Sequence, residues 1–265
     1  MAVEHAAHGG IPELPNFITI LDERWHDVPV VAWLHQWENL VFSAIIAGLL
    51  CLMAWRHARR PSTIPSGWQN LLEVLVEAID TFVQSIIGKA GRAHTPFIGS
   101  LFLYIWLSNL SGLVPGMKSS TSSLNTTIGL ALVVFCYVQW IGITSNGLFG
   151  YFDHLAGSPR DIVGWLLVPL MLPIHVLGEL IKPLSLSLRL GFNVFAEDVL
   201  LAVLAGLGLA SGIVLHLPQG ALRVGLPLQA LVIPLVLIFS TVQALVFSLL
   251  STVYIALMLP HGEHH

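Results

Sequence analysis

Apolar residues fall along this chain in long unbroken runs parted by short polar stretches, the pattern of helices buried in a hydrocarbon layer and not of a water-soluble fold. Residues 40–55 carry no charge, and joined across Glu38 to the apolar stretch 31–37 they can span about 30 Å of hydrocarbon as a helix. Residues 98–116 predict a second crossing with Asn109 inside it, and residues 124–144 a third, starting from a Ser/Thr-rich turn. Two later runs exceed a simple span. As a straight helix, residues 163–210 would reach about 70 Å, so breaks at Pro169, Pro173 and Pro183, a steep tilt, or both are expected. Residues 226–260, with Pro227 and Pro234 near their start, follow a short loop holding Pro218, Gly220 and Arg223; together the two runs predict a tilted helical hairpin.

One segment follows a different rule. Leu71, Leu72, Leu75, Val76, Ile79, Phe82, Val83 and Ile86 recur at helical spacing with Gln69, Glu73, Glu77, Asp80 and Gln84 between them, which predicts an amphipathic helix over 68–90. Such a helix lies in a membrane interface, or binds a partner through its apolar face. Arg56, Arg59 and Arg60 before it, with Pro61 and Pro65 ending the preceding helix, and Lys89 and Arg92 after it place these loops on the cytoplasmic side, where the alternation of sides also puts the later loop with Gly157, Pro159 and Arg160. The expected architecture is thus an all-α integral membrane protein with about five membrane-embedded helices and one interfacial helix. Residues 1–30 form an aqueous arm outside, 31–260 a single membrane domain, and 261–265 a cytoplasmic tail. Trp25, Trp33 and Trp37 sit where interfacial aromatics belong.

Composition agrees with this division. Hydrophobic residues make up 55% and charged residues 10% of 265, against about a quarter charged in soluble domains. A net charge of -4 gives no basic footprint for nucleic acid. Cys51 and Cys136 lie inside apolar runs, so no disulfide framework is expected. Residues 1–11 lack a basic start followed by an apolar core, so insertion is expected to use the internal segments. The glycines of 112–116 before Lys118 have the wrong spacing for a phosphate loop, and no cofactor is expected. The tail from His261 to His265 reads as a solvated terminus.

The third quarter of the chain nonetheless places His175, Glu179, Lys182, Arg189, Asn193, Glu197 and Asp198 in apolar surroundings. Each charge near a bilayer centre costs about 2.5–3.5 kcal/mol on insertion scales, so these groups must face protein or water and mark function by default. Arg189, flanked by Leu184, Leu186, Leu188 and Leu190, is a cation that no working pH neutralises, serving either function or a structural pair with Glu179, Glu197 or Asp198. On a helix Asn193 stands roughly 40° and Glu197 roughly 80° around from Arg189, whereas Asp198 projects to the opposite side. His175 and Glu179, at i and i+4, can share a face as a proton-accepting pair or a membrane-edge hydrogen bond. Gln243, among Val242, Ala244 and Leu245, is a long amide able to approach Arg189 without neutralising it.

The run from Lys182 through Pro183, Leu184, Ser185, Leu186, Ser187, Leu188 to Arg189, then Leu190, Gly191, Phe192 and Asn193, resembles the signature helix of the subunit a family of F-type ATP synthases. In that family an essential arginine is followed four positions later by asparagine. The resemblance extends to the stretch from Asn109 to Gly116, to Leu124 and Asn125, and to Gln243 followed by Tyr254, covering roughly residues 35–258 in order. It departs at Gly191 and Phe192, inverted against the usual Phe-Gly, and at Glu197, where the family usually has a small residue.

What the resemblance implies is a non-catalytic stator subunit, in a cell inner (plasma) membrane with its N-terminus outside and its C-terminus cytoplasmic. It would provide two offset half-channels carrying protons, or Na⁺, to and from the carboxylates of a c-subunit ring. The other implied partners are peripheral-stalk b subunits, further ATP synthase subunits and the lipid bilayer. Arg189 corresponds to the family's essential arginine, Gln243 to its glutamine neighbour and Asp198 to its half-channel acid, a role that Glu197 contests. Asn193 and Asn125 match polar positions, Tyr254 follows Gln243 as in the family, and His175 and Glu179 occupy the region of the channel lining. A stand-alone secondary transporter or channel is the alternative, but it predicts an internal repeat, and residues 31–144 hold no counterpart of the arginine-bearing segment. A structural scaffold subunit would tolerate neutral replacement of Arg189 and Asp198.

Overall fold

The structure, a computed structural model, describes residues 16–25, 28–59, 67–114, 116–155, 162–210, 213–217, 220–224 and 228–259. Through them run α1 (Phe17–Arg24), α2 (Pro29–Gln36), α3 (Glu38–Ala58), α4 (Trp68–Ile87), α5 (Thr95–Ser111), α6 (Leu124–Leu155), α7 (Ile162–Ala210) and α8 (Leu228–Met258). Between the last two helices β1 (Ile213–Leu217) pairs antiparallel with β2 (Gly220–Val224), Ile213 opposite Val224 and Leu217 opposite Gly220. The expected all-α membrane architecture holds, with this small hairpin added where a plain loop was expected. Expectations for residues 1–15, the loop with Pro61 and Pro65, the loop with Gly157, Pro159 and Arg160, and the tail 261–265 lie outside the described residues.

Four helical stretches, Glu38–Arg56, Leu124–Gly147, Val168–Gly208 and Ala230–Met258, are long and apolar enough to cross a membrane. Each buries only 17–33% of its most apolar window within the chain, so most of these side chains face outward, as lipid contact demands. With 17 residues, α5 stands at the short end of spanning length. The longest helix, α7, runs 49 residues and is not interrupted by Pro169, Pro173 or Pro183, so the break allowed by the sequence is not made. Each proline still lacks an N–H, and Pro183 therefore leaves the main-chain carbonyl of Glu179 without its helical donor.

Local chemistry explains the shorter elements. Asn16 caps α1 by accepting from the N–H groups of Ile18 and Thr19 at 3.0 and 2.9 Å, and its own N–H donates to Thr19 Oγ1 at 2.8 Å. The expected amphipathic helix is α4, which ends at Gly88 with φ +82°, a conformation glycine reaches without a Cβ penalty. Its Leu72, Leu75, Ile79, Phe82, Val83 and Ile86 are buried or half-buried, while Leu71 and Val76 are exposed.

The chain falls into two compact units. The first comprises Met1–Trp55, Tyr104–Thr126 and Gly191–Ala244, with Phe42, Ile46, Ile105, Val194, Leu201 and Val236 in its core. The second comprises Arg56–Leu103, Thr127–Leu190 and Leu245–His265, with Val83, Ile98, Val134, Leu186, Leu190, Phe247 and Ile255 in its core.

Candidate functional site

In the first unit, the polar side chains of α5, α7 and α8 meet in a hydroxyl and amide network. Asn193 Nδ2 donates to Gln243 Oε1 at 2.8 Å, and Ser240 Oγ donates to Glu197 Oε2 at 3.1 Å. On α5, Asn109 Nδ2 reaches the Ser240 carbonyl at 3.4 Å, while Thr121 Oγ1 donates to Asn109 Oδ1 at 2.6 Å and also contacts Ser119 Oγ at 2.8 Å. Trp106 Nε1 donates to Thr241 Oγ1 at 2.9 Å. Most of these groups are buried, so unpaired they would each cost about 1–3 kcal/mol. Within this network Gln243 Nε2 is buried and has no partner among the described residues.

Asp198 separates from Glu197. While Glu197 turns to Ser240, Asp198 lines a cavity of about 200 Å³ with Asn39, Lys118, Ser119, Ser122, Ser123 and Phe195. Gly112 also lines it, and a Cβ there would stand 3.3 Å from Asp198 Oδ1 and 3.2 Å from Ser119 Cβ, so glycine keeps this wall open. Asn125, the second residue of α6, is exposed.

In the second unit the chemistry is ionic. Lys182 Nζ donates to Glu179 Oε1, whose other oxygen accepts from Gln139 Nε2 at 3.5 Å; the Tyr151 hydroxyl donates to Gln139 Oε1. The Lys182 ammonium stands 5.4 Å from the centroid of the Tyr254 ring. Glu179, Lys182, Pro183 and Tyr254 line a cavity of about 10 Å³, the scale of a single water. His175 is exposed, and the carboxylate one turn away faces Lys182 and Gln139 instead of pairing with it. Arg189 is exposed, on a strip of α7 with Ser185, Phe192, Asn193 and Ala196, and Glu179, ten residues before it on the same helix, is paired with Lys182.

Of the residues singled out from sequence, the structure thus joins Asn193 with Gln243 and Glu179 with Tyr254 through Lys182, and gives Glu197 and Asp198 different surroundings. Sequence reasoning missed Gln139, Tyr151, Ser240, Thr121 and Lys118 as members of these groups, and Glu38 as the partner of Lys118.

Comparison with known proteins settles the lineage. Residues 40–256 match the family model described as ATP synthase A chain. The chain belongs to that family. It is 45% identical over 253 residues to "ATP synthase subunit a" of Protochlamydia amoebophila, covering 96% of this chain and 91% of that one. It is 36% identical over 229 residues to the protein of the same name from Solidesulfovibrio magneticus, covering 85% and 86%. To "ATP synthase subunit a 1" of Syntrophotalea carbinolica it is 33% identical over 254 residues, covering 96% and 92%. Family and apolar helices together make this chain a multi-pass membrane protein.

Proposed function

We propose that this chain is the stator subunit a of a rotary F-type ATP synthase. In this reading its two polar groups belong to two half-channels that bring protons, or Na⁺, to a c-subunit ring and lead them away. The observation that carries the reading is Arg189, a permanent cation exposed on a helix of membrane-spanning character, with Ser185 and Ala196 as small neighbours that let another surface approach. A neutral carboxylate on the ring can travel through lipid, whereas an ionised one is held back by desolvation. Beside Arg189 the ionised form is favoured: a cation about 4 Å away contributes on the order of 4 kcal/mol at an effective dielectric of about 20. The ring site therefore gives up its ion there, and the same cation opposes leakage past it. The membrane potential adds about 2.3 kcal/mol per charge per 100 mV.

The first unit, with Asp198, Glu197, Asn193, Gln243 and Asn125, supplies the outer route, and the second, with Glu179, His175 and Tyr254, the inner one. The chain itself catalyses no bond change; ring, peripheral-stalk b subunits and the remaining ATP synthase subunits are its partners, in a cell inner membrane with the N-terminus outside and the C-terminus cytoplasmic. In the reconstituted complex, Arg189→Ala is expected to abolish ion-driven ATP synthesis while the detached catalytic portion still hydrolyses ATP. Ion-driven synthesis at the unmodified rate in that variant overturns the reading.

A further inference from the structure

The cavity beside Asp198 carries one cation among its described lining residues, Lys118, and that charge is matched from outside the lining by Glu38. Lys118 Nζ lies 2.7 Å from Glu38 Oε1. Glu38 is held from its other side as well: Asn16 Nδ2 donates to Oε2 at 3.1 Å, and His35 Nδ1 stands 3.7 Å from the same oxygen. Asn16 is itself only 2% exposed, and the Phe17 N–H that follows it donates to the Gly116 carbonyl at 2.9 Å, fastening α1 to the loop that bears Lys118. Gly116 has φ +86°, and a Cβ there would fall 2.5 Å from the Phe17 ring, so the fastening depends on glycine. The remaining polar lining offers acceptors, including Asn39 Oδ1, which is buried with no partner among the described residues.

Glu38 offsets the positive charge that Lys118 adds to this wall; without it the wall would be one charge more positive and would oppose any cation on its way to Asp198. We propose that Glu38 is a positioning residue for ion access: it neutralises Lys118 at the Asp198 cavity, and α1 holds it there. The inference rests on the half-channel reading above and adds to it a control of access by charge balance. A purely structural pair would suffer equally from loss of either partner, whereas charge control makes the two losses opposite in sign.

The test uses the whole complex in vesicles, reading ion-driven ATP synthesis at limiting driving ion, at ionic strengths of about 0.01 M and about 0.15 M, where screening lengths are about 30 Å and about 8 Å. Glu38→Gln is expected to slow synthesis about fivefold at the lower strength and distinctly less at the higher. Lys118→Gln is expected to speed it, and the double variant to recover most of the Glu38→Gln loss. Equal slowing by both single changes with no relief by salt overturns the proposal, as does a Glu38→Gln variant as fast as the unmodified complex or a double variant as slow as Glu38→Gln. Asp198→Asn is run beside them: undiminished synthesis in that variant sinks the half-channel reading itself, whereas a symmetric Glu38 and Lys118 result with Asp198→Asn inactive sinks only the charge balance.

Discussion

The two polar groups of this protein solve the problem of intramembrane polarity in opposite ways. In the first unit, neutral amides and hydroxyls from Asn109, Thr121, Asn193, Ser240 and Gln243 satisfy one another, and the acids split between a hydroxyl partner and a cavity of about 200 Å³. In the second, Glu179 is matched by Lys182 on the same helix, Tyr254 covers the ammonium, and the space left is about 10 Å³. A roomy site can keep a carboxylate hydrated; a tight one must neutralise it by contact. The lesson is that an acid within the membrane can be accommodated by space or by a cation in contact, and the side chains around it decide which.

Breaking the ionic side should have the largest effect. Lys182→Met leaves the Glu179 carboxylate, about 16% exposed, without its cation, and is expected to destabilise the purified complex by about 3 kcal/mol, with a Glu179→Gln and Lys182→Met double variant regaining most of it in thermal unfolding. On the roomy side, Gly112→Val drives carbon against Asp198 and Ser119; overpacking of about 2 kcal/mol is expected, and ion-driven synthesis should fall more than stability does. Asn193→Ala removes the partner that the Gln243 amide has among the described residues and should destabilise by about 1 kcal/mol, whereas Asn193→Ala combined with Gln243→Met should lie close to neutral in the same assay.

The smallest effect concerns His94, between α4 and α5, outside both groups. Its Nδ1 lies 3.0 Å from the Tyr137 hydroxyl, and burial holds its pKa below the usual 6.5. Because the folded form resists protonation, the unfolded chain binds more protons as the solution is acidified. This contribution to stability is present above pH 6.5 and is lost as pH falls through the lowered folded value. His94→Asn should flatten the stability profile between about pH 7 and pH 5, measured by unfolding of the detergent-solubilised complex.

Much of the membrane architecture was legible in the chain because hydrocarbon tolerates so few polar residues that 10% charge already marks the boundaries. Where reading fell short, the local signal was weak. Helical structure extends past the apolar run ending near Thr144, kinks at Gly147, whose φ of +70° is not helical, and resumes to Leu155; just before the kink Asn146 Nδ2 donates to the Met258 carbonyl at 2.9 Å. The hairpin of β1 and β2 is too short for a pattern of period two to stand out against a loop. At the site, Arg189, Asn193, Glu197, Asp198 and Gln243 announced themselves as polar residues in apolar sequence. Their partners did not: Ser240 and Thr121 are ordinary in membrane helices, and Lys118 and Glu38 stand 80 residues apart.

Pro183 sits directly after Lys182 and one helical turn beyond Glu179, and its ring nitrogen gives that turn nothing to donate. The ionic group thus owns a peptide oxygen that titrates at no pH and survives every exchange at position 179. Replacing Pro183 with alanine would return that oxygen to the helix, editing the backbone of the site while leaving each of its charged side chains in place.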